Sequence, residues 1–197
     1  MLRPPKSIKP YVRRFCDKVA SNERPLYVSV RPVQGAILHD CFGSVSDYVT
    51  RYFGEQVIGW AIWEWPKVFI EAEFHAVWRH PARNLVDITP KSVPIPRILF
   101  LPDTGAEDVG RYVDNIRQAL RCDPAIDRFL EREHLMFLEH SAAEVAEKDG
   151  KIPVTEKLRR YEMEQVRLYD RLQKRFGVPT PEAFSARTAN APGLPEP

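Results

Sequence analysis

Apolar and polar residues alternate through the segment 71–90 in a pattern that predicts a β-hairpin with ionisable side chains in its strands. In the first strand the apolar residues share one face, which leaves Glu73 and His75 together on the other. In the second strand Asp87 lies on the face opposite its apolar neighbours. A turn centred near Pro81 would place His75 directly opposite Asp87, with Cβ atoms about 5 Å apart. The pattern therefore predicts a hydrogen bond between an imidazole and a carboxylate within an apolar sheet.

The segment that precedes this hairpin predicts a helix that begins at a cysteine. Asp40 is suited to cap the helix, apolar residues recur after it at helical spacing, and Gly54 supplies a stop. Cys41 would lie in the first turn, where unpaired backbone N–H groups and the helix dipole favour thiolate over thiol. Cys41 would be the third member of a nucleophilic triad with His75 and Asp87.

The rest of the chain is predicted to form strands in its first half and helices in its second, so the expected fold class is α+β. Runs of β-branched and aromatic residues precede residue 102, and helix formers dominate after residue 107. The predicted strands cover 26–30, 68–70 and 97–101, an aromatic run at 56–65 is either a wall or an edge hairpin, and the predicted helices cover 11–20, about 109–120, 126–149 and 155–176.

These elements divide the chain into regions with different expected roles. The apolar stripes of the C-terminal helices cannot stay exposed, so these helices should pack on the sheet or on a second copy of the chain. We expect a flexible basic arm at 1–10, an α+β core with the candidate triad at 11–102, a helical region at 105–177 and a disordered tail at 178–197.

Composition narrows the class of protein. A chain of 197 residues with 44% hydrophobic content is expected to be a soluble globular protein of one domain, with or without an appendage. Its formal charge of +2 gives no general attraction to nucleic acid, and its longest nearly uncharged run, 57–63, is far shorter than the ~20 residues of a membrane span. Three widely spaced cysteines, Cys16, Cys41 and Cys122, form neither a disulfide framework nor a CxxC metal pattern, which favours a reducing cytoplasm.

Two motifs carry a resemblance to known families. The stretch HAVWRHPARNLVDITP, which contains His75 and Asp87, is similar to the histidine-to-aspartate segment of transglutaminase-like proteins. The stretch HDCFGSVSDYV, which contains Cys41, resembles the helix start of NlpC-type cell-wall peptidases, although Phe42 stands where those peptidases carry serine. Both groups belong to the papain-like superfamily, in which a helix with the nucleophilic cysteine packs on an antiparallel sheet with the histidine and its polar partner.

The resemblance covers residues 34–90 and implies a papain-like core followed by a helical C-terminal half that lies outside it. It also implies a thiol-dependent hydrolase or acyltransferase that acts on a peptide or protein substrate and needs no cofactor. Cys41 would be the nucleophile, His75 the base and Asp87 the group that orients the imidazole. Water or an amine would then resolve the acyl-enzyme.

Further candidates for the site follow from position. Gln34, seven residues before the cysteine, resembles the oxyanion glutamine of papain-type enzymes only approximately, and we consider it with the Cys41 backbone N–H as an oxyanion donor. Glu71 and Glu73 either bind a basic substrate or line a solvated face of the sheet, and the second interpretation is favoured. Trp63, in the aromatic run, is a further candidate for contact with substrate.

Three alternative interpretations remain open. A zinc site could use His39, Cys41, His75 and His80, although the H-x-C spacing is not that of a zinc knuckle. Glu131 and His134 form a Glu-x-x-His pair of the kind found in di-iron bundles, but no second copy exists. The main alternative is a non-enzymatic interaction protein, in which charged helices dock a partner and four tryptophans act as anchors, namely Trp60, Trp63, Trp65 and Trp78.

Overall fold

A computed structural model describes residues 2–82, 84–108, 110–145 and 155–178, with the side chains of all of these except 143–145. Within this part of the chain the fold is α+β, as predicted. The helices are α1 (Pro10–Val19), α2 (Cys41–Tyr52), α3 (Pro124–Val145) and α4 (Glu156–Phe176), and the strands are β1 (Leu26–Val30), β2 (Glu55–Trp65), β3 (Phe69–Arg79), β4 (Leu85–Asp87), β5 (Arg97–Pro102) and β6 (Ile116–Ala119).

The six strands form one barrel-like sheet. They follow the order β2-β5-β1-β4-β3-β6, and an additional pairing of β2 with β3 joins the first five into a ring. The pairing of β1 with β4 is parallel, and the other strand pairs are antiparallel. β6 lies outside the ring, against β3. The aromatic run at 56–65 is therefore a central strand of the sheet and not an edge hairpin.

β3 has two different neighbours along one of its edges. β6 pairs with residues 69–72, and β4 pairs with Trp78 and Arg79. β2 occupies the opposite edge over the whole length of β3. In the described part of the chain, residues 73–77 therefore have no strand on the first edge. This gap in the sheet contains Glu73 and His75.

Helix α2 packs beside this gap, on one of the two faces of β3. Alternate residues of β3 belong to two different apolar clusters. Ala76 and Trp78 belong to a cluster that includes Cys41 and Val45 of α2. Val77, between them, packs with residues of β1, β2 and β5 in a separate cluster. The two faces of β3 are thus both buried, and α2 covers only one of them. His75 has the same parity as Val77, and it meets the first residue of α2, Cys41, at the gap.

The sequence accounts closely for the limits of α2. Its cap, Asp40, accepts a hydrogen bond from the Gly43 N–H at 3.0 Å, which satisfies one of the first amides of the helix. The chain leaves the helix through Phe53 and Gly54, whose φ angles are 62° and 93°. A Cβ at Gly54 would lie 2.4 Å from the Arg79 carbonyl oxygen, so glycine alone fits this turn.

The predicted helix over about 109–120 is wrong. Residues 116–119 instead form β6, which pairs with residues 69–72 of β3. The Leu120 N–H extends this interaction to the Val68 carbonyl at 2.8 Å. The reason is tertiary, because β3 offers an open row of backbone donors and acceptors that a helix could not satisfy. Gly110, Asp114 and Asn115, which are poor helix formers, also oppose a helix here.

The predicted basic arm at 1–10 is held against the sheet from Leu2 onward. The backbones of Arg3 and Glu64 pair in an isolated antiparallel bridge, and their side chains form an ion pair at 3.4 Å. The Tyr27 hydroxyl donates a hydrogen bond to the Pro5 carbonyl at 2.8 Å. These contacts tie down a segment whose prolines and charges had indicated a free arm.

The C-terminal helices pack on one end of the sheet, as predicted. Ile126 and Phe129 of α3 and Leu168 and Leu172 of α4 share a buried cluster with Trp65 and neighbouring residues of the β2–β3 turn. Thr155 caps α4 and Gly177 ends it, in agreement with the predicted limits. The predicted end of the middle helix near residue 149 and the predicted tail beyond residue 178 lie outside the described residues. No helix of the described chain is long and apolar enough to cross a membrane.

Replacing Leu172 by Ala should lower the free energy of unfolding by about 2–5 kcal/mol, because Leu172 is 1% exposed in this cluster. Met163→Ala is the matched control, since Met163 lies on the same helix but is 57% exposed, and we expect about 0.5 kcal/mol or less. Urea denaturation followed by tryptophan fluorescence measures both. Equal effects in the two variants would show that α4 is not docked through Leu172.

Candidate active site

The gap beside β3 opens into a cavity that is lined by two of the three residues predicted to form a triad. The cavity has a volume of about 770 Å³, and its wall includes Cys41 at the start of α2 and His75 on β3. Asp87, at the end of β4, lies behind His75 and is fully buried. Three elements that are distant in the sequence therefore meet at one point, next to a space large enough for a small molecule or a peptide side chain.

His75 connects the other two residues. Its Nε2 lies 3.1 Å from Asp87 Oδ2, and the imidazole is 4% exposed. The Cys41 thiol is near enough to raise the pKa of the imidazole, and both side chains line the cavity. Because Nε2 faces the carboxylate, Nδ1 is the ring nitrogen that remains for the sulfur. This geometry leaves one nitrogen to exchange a proton with sulfur while the other is held by a carboxylate.

The predicted strand register was wrong by two residues, although the predicted contact is present. β3 and β4 pair Trp78 with Val86. In the turn that joins these strands, the His80 N–H donates a hydrogen bond to the Asn84 carbonyl at 2.9 Å. Continued to the next pair, this register brings Asp87 opposite Val77. His75 and Asp87 are therefore diagonal neighbours. A shift of two residues keeps every side chain on its face, and diagonal pairs on one face remain within reach of long side chains.

Lys91 is a member of the site that the sequence analysis missed. Its Nζ lies 2.6 Å from Asp87 Oδ2 and 3.4 Å from His75 Nε2, and its side chain is 14% exposed. The other oxygen of Asp87 accepts a hydrogen bond from the Thr89 N–H at 3.0 Å. Lys91 follows the end of a strand across a proline, where neither periodicity nor a motif indicates the direction of a side chain.

The electrostatics of the group favour an ion pair at neutral pH. Burial lowers the pKa of His75, but hydrogen bonds to Asp87 and Cys41 outweigh it and raise the pKa to about 9. Burial raises the pKa of Asp87, yet the hydrogen bond to His75 and the nearby charges of His75 and Lys91 bring it down to about 2. Lys91 opposes the protonation of His75.

The start of α2 supplies donors for a developing oxyanion, whereas Gln34 does not lie at the site. The Gly43 N–H is engaged by the Asp40 side chain and the Ser44 N–H by the Asp40 carbonyl. The preceding amides of Cys41 and Phe42 are those that a helix leaves without an intrahelical acceptor. Gln34 is exposed and is not part of the cavity wall, so its predicted role as oxyanion donor has no geometric support.

Both predicted substrate-contact residues, Glu73 and Trp63, line the cavity. The Trp63 indole N–H donates a hydrogen bond to Glu73 Oε2 at 2.6 Å. Glu71 lies farther along the same face of β3 and is 8% exposed, which contradicts the favoured interpretation of a solvated face. Burial raises the pKa of Glu71 to about 7, against the opposing effect of Arg117, whose Nε lies 3.2 Å from the carboxylate.

The alternative interpretations find less support in the geometry. Among the described residues, no group of three or more His, Cys, Asp or Glu side chains is arranged to hold a metal ion. His80 instead accepts a hydrogen bond from the Ala82 N–H at 2.9 Å. Glu131 and His134 form separate ion pairs, with Arg128 and Asp114. Trp60, Trp65 and Trp78 are at most 8% exposed, and the indole N–H of each of the four tryptophans has an acceptor.

Comparison with known proteins adds no family to these observations. The chain matched no family model, no curated protein and no solved structure. The residues and their geometry therefore carry the functional argument.

Replacing Lys91 by Met should move the titration midpoint of His75 upward, because Lys91 is the nearby cation that opposes imidazolium formation. NMR of chain labelled with ¹⁵N-histidine, recorded from pH 5 to 10, measures the midpoint. Lys174→Met, at an exposed position on α4, is the control and should leave the midpoint unchanged. A downward or absent shift in Lys91→Met would show that the ammonium group does not face the imidazole.

Replacing Glu71 by Gln should remove a pH dependence of stability. The pKa of Glu71 is raised, so the folded chain binds more protons than the unfolded chain between about pH 4.5 and 7, and the unfolding free energy falls as pH rises through this window. The difference between wild type and variant should change by a few kcal/mol at most, at about 1.4 kcal/mol for each pKa unit. Denaturation at several pH values tests this, and Glu55→Gln, on an exposed carboxylate, is the control.

Proposed function

We propose that the protein is a thiol-dependent hydrolase or acyltransferase that acts on amide or peptide bonds through Cys41, His75 and Asp87. The observation that carries the proposal is the contact of Cys41 with His75, which is hydrogen-bonded to a buried Asp87, in the wall of a cavity. The three side chains come from α2, β3 and β4, so no local motif accounts for their meeting. A cysteine at a helix start and a histidine held by a carboxylate are the components of covalent acyl transfer.

The geometry supports a two-step reaction. His75 draws the proton from Cys41, which gives an imidazolium and a thiolate. The thiolate attacks the substrate carbonyl carbon, and the amides of Cys41 and Phe42 receive the oxyanion. His75 then protonates the leaving amine as the C–N bond breaks, which yields a thioester with Cys41 and a neutral imidazole. Water or an amine loses its proton to His75, attacks the thioester carbonyl, and releases the acid or the new amide with the thiolate restored.

Asp87 and Lys91 have different parts in this scheme. Asp87 fixes the orientation of the ring through Nε2 and stabilises the imidazolium. Lys91 binds the same carboxylate oxygen and weakens that stabilisation, so it moves the pKa of His75 back toward neutral pH. A general acid and base works best when its pKa is near the working pH.

We also propose that residues 34–90 form a papain-like core. In support, α2 begins at Cys41 and packs on β3, which carries His75, and β3 pairs antiparallel with β4, which carries Asp87. A peptide or protein substrate and a cytoplasmic location remain part of the proposal. Self-association through the C-terminal helices also stays a prediction, with Met163 and Val166 exposed on α4.

An interaction protein without enzymatic activity is the second candidate. Its predicted anchors are mostly interior, since Trp60, Trp65 and Trp78 pack within the chain and could contact a partner only after rearrangement. It would also leave the cost of burying His75, Asp87 and Lys91 together without a functional reason.

Cys41 should react with iodoacetamide at pH 6 much faster than an ordinary thiol, because His75 and the helix start favour the thiolate. The measurement is made in a Cys122→Ser background, since Cys122 is the exposed thiol. Cys16 does not interfere, because it is 0% exposed and burial, together with Asp17, raises its pKa to about 12. Mass spectrometry of the alkylated peptide gives the rate at each pH.

The variants of the triad should form a series. His75→Ala should remove most of the advantage at pH 6, since the positive partner of the thiolate is lost. Asp87→Asn should have an intermediate effect, because it leaves the imidazole but stabilises its cation less. His80→Ala is the control at a histidine outside the site. A rate profile like that of an ordinary thiol, unaltered by His75→Ala, would remove the enzyme proposal and favour the interaction protein.

A further inference from the structure

The cavity beside Cys41 contains a carboxylate without a positive partner. Glu73 is half-buried in the wall, and its carboxylate accepts a hydrogen bond from the Trp63 indole N–H at 2.6 Å. In the part of the chain that the structure describes, Glu73 forms no ion pair. An indole N–H satisfies one oxygen of a carboxylate but does not neutralise its charge.

The neighbouring Glu71 lies in the same wall and, unlike Glu73, forms an ion pair, with Arg117. Arg117 lies directly across the β3–β6 pair from Glu71, with Nε 3.2 Å from the carboxylate. β6 begins at Ile116, opposite Ala72. Glu73 is therefore the first residue of β3 beyond this strand, and the cation that serves Glu71 has no equivalent there.

The cations near the reacting atoms are engaged with another carboxylate. His75 Nε2 and Lys91 Nζ both contact Asp87 Oδ2, at 3.1 and 2.6 Å. At the rim, the exposed side chains of Asp108 and Arg111 carry opposite charges. Among the described residues, Glu73 is therefore a half-buried carboxylate of the cavity wall with no ion pair of its own.

Two further observations in the same wall indicate a ligand. Trp63, Phe42 and Phe74 line the cavity, and aromatic faces attract cations. The Thr89 hydroxyl, next to His75 in the continued β3–β4 register, is buried in the wall at 2% exposure and has no hydrogen-bond partner among the described residues. Buried polar atoms without partners are rare in folded proteins, and one in a cavity wall is expected where a ligand supplies the missing bond.

We propose that the substrate of this site carries a cationic group, an amine or a guanidine, which Glu73 binds between aromatic side chains while Cys41 attacks the carbonyl. The proposal rests on the proposed function and names the substrate class of that site. Glu73 and His75 are two residues apart on one face of a strand, which separates their Cβ atoms by about 7 Å. The cation therefore lies a few bonds from the reacting carbonyl, as in an acyl group or amine with a nearby positive charge.

The test compares methanethiosulfonate reagents of opposite charge on Cys41. Each thiolate attack forms a mixed disulfide and releases methanesulfinate, so the transferred group is the only difference. The trimethylammonium-ethyl reagent places a cation, and the sulfonatoethyl reagent an anion, about 6–7 Å from the sulfur, near the expected position of the Glu73 carboxylate. Rates are measured in the Cys122→Ser background and divided by the rates of free 2-mercaptoethanol.

Glu73→Gln should lower the cation-to-anion rate ratio about tenfold, as expected for loss of one charge at this distance in a partly solvated site. Glu73→Asp should retain most of the preference, because the charge remains. Glu55→Gln, at an exposed carboxylate on β2, should leave the ratio unchanged, and Glu71→Gln should change it less than Glu73→Gln. In the parent protein the ratio should fall as salt is added, which tests the charge without any substitution near the site.

The outcomes separate the two proposals. A fast Cys41 with no preference for the cation, or with a preference that Glu73→Gln leaves intact, overturns the substrate class and leaves the proposed function standing. A Cys41 that reacts with neutral methyl methanethiosulfonate no faster than an ordinary thiol removes the proposed function, and the substrate class with it.

Discussion

Burying the Asp87 carboxylate at 0% exposure costs several kcal/mol unless donors and positive charges surround it. The structure provides both. The Thr89 N–H serves one oxygen, and His75 and Lys91 serve the other. Because His75 and Lys91 contact the same oxygen, movement of either would change the set of donors that holds this buried carboxylate. The position of the imidazole, and with it the position at which Cys41 meets a proton acceptor, depends on this shared carboxylate.

The barrel-like sheet explains how such a group can be buried and yet act on a cavity. β4 reaches the ring between β1 and β3 over three residues, so Asp87 is enclosed by strands on both sides. Within the described chain, β3 continues past its pairing with β4 and has no strand on this edge at residues 73–77. At this gap His75 has Asp87 on one side and the start of α2 on the other. The Asp87 carboxylate stays buried, while the imidazole that it orients lies beside the Cys41 thiol at the cavity wall.

Local patterns in the sequence predicted the parts of the site whose causes are local. The cap at Asp40 placed Cys41 at a helix start, and strand parity placed His75 and Asp87 on one face. Side chains along a strand alternate between the two faces of the sheet with a period of two. The predicted face was therefore correct although the predicted register was wrong by two residues. Lys91 and β6 could not be predicted in this way. Lys91 lies in a loop whose direction depends on the ion pair it joins, and β6 depends on an open edge of β3 that is visible only after the sheet is assembled.

Strand β6, which the periodicity predicted as part of a helix, also determines which carboxylate of the cavity wall has an ion pair. As a helix, residues 109–120 would have turned Arg117 away from the sheet, and Glu71 and Glu73 would have remained equivalent. As strand β6, residues 116–119 bring Arg117 opposite Glu71, and the pairing ends at Ala72. One carboxylate is then paired with Arg117, while the next, Glu73, is hydrogen-bonded to the Trp63 indole and has no ion pair in the described part of the chain. The same short strand thus closes one end of the gap and leaves Glu73 at the opening, and the proposed preference for a cationic substrate rests on this difference.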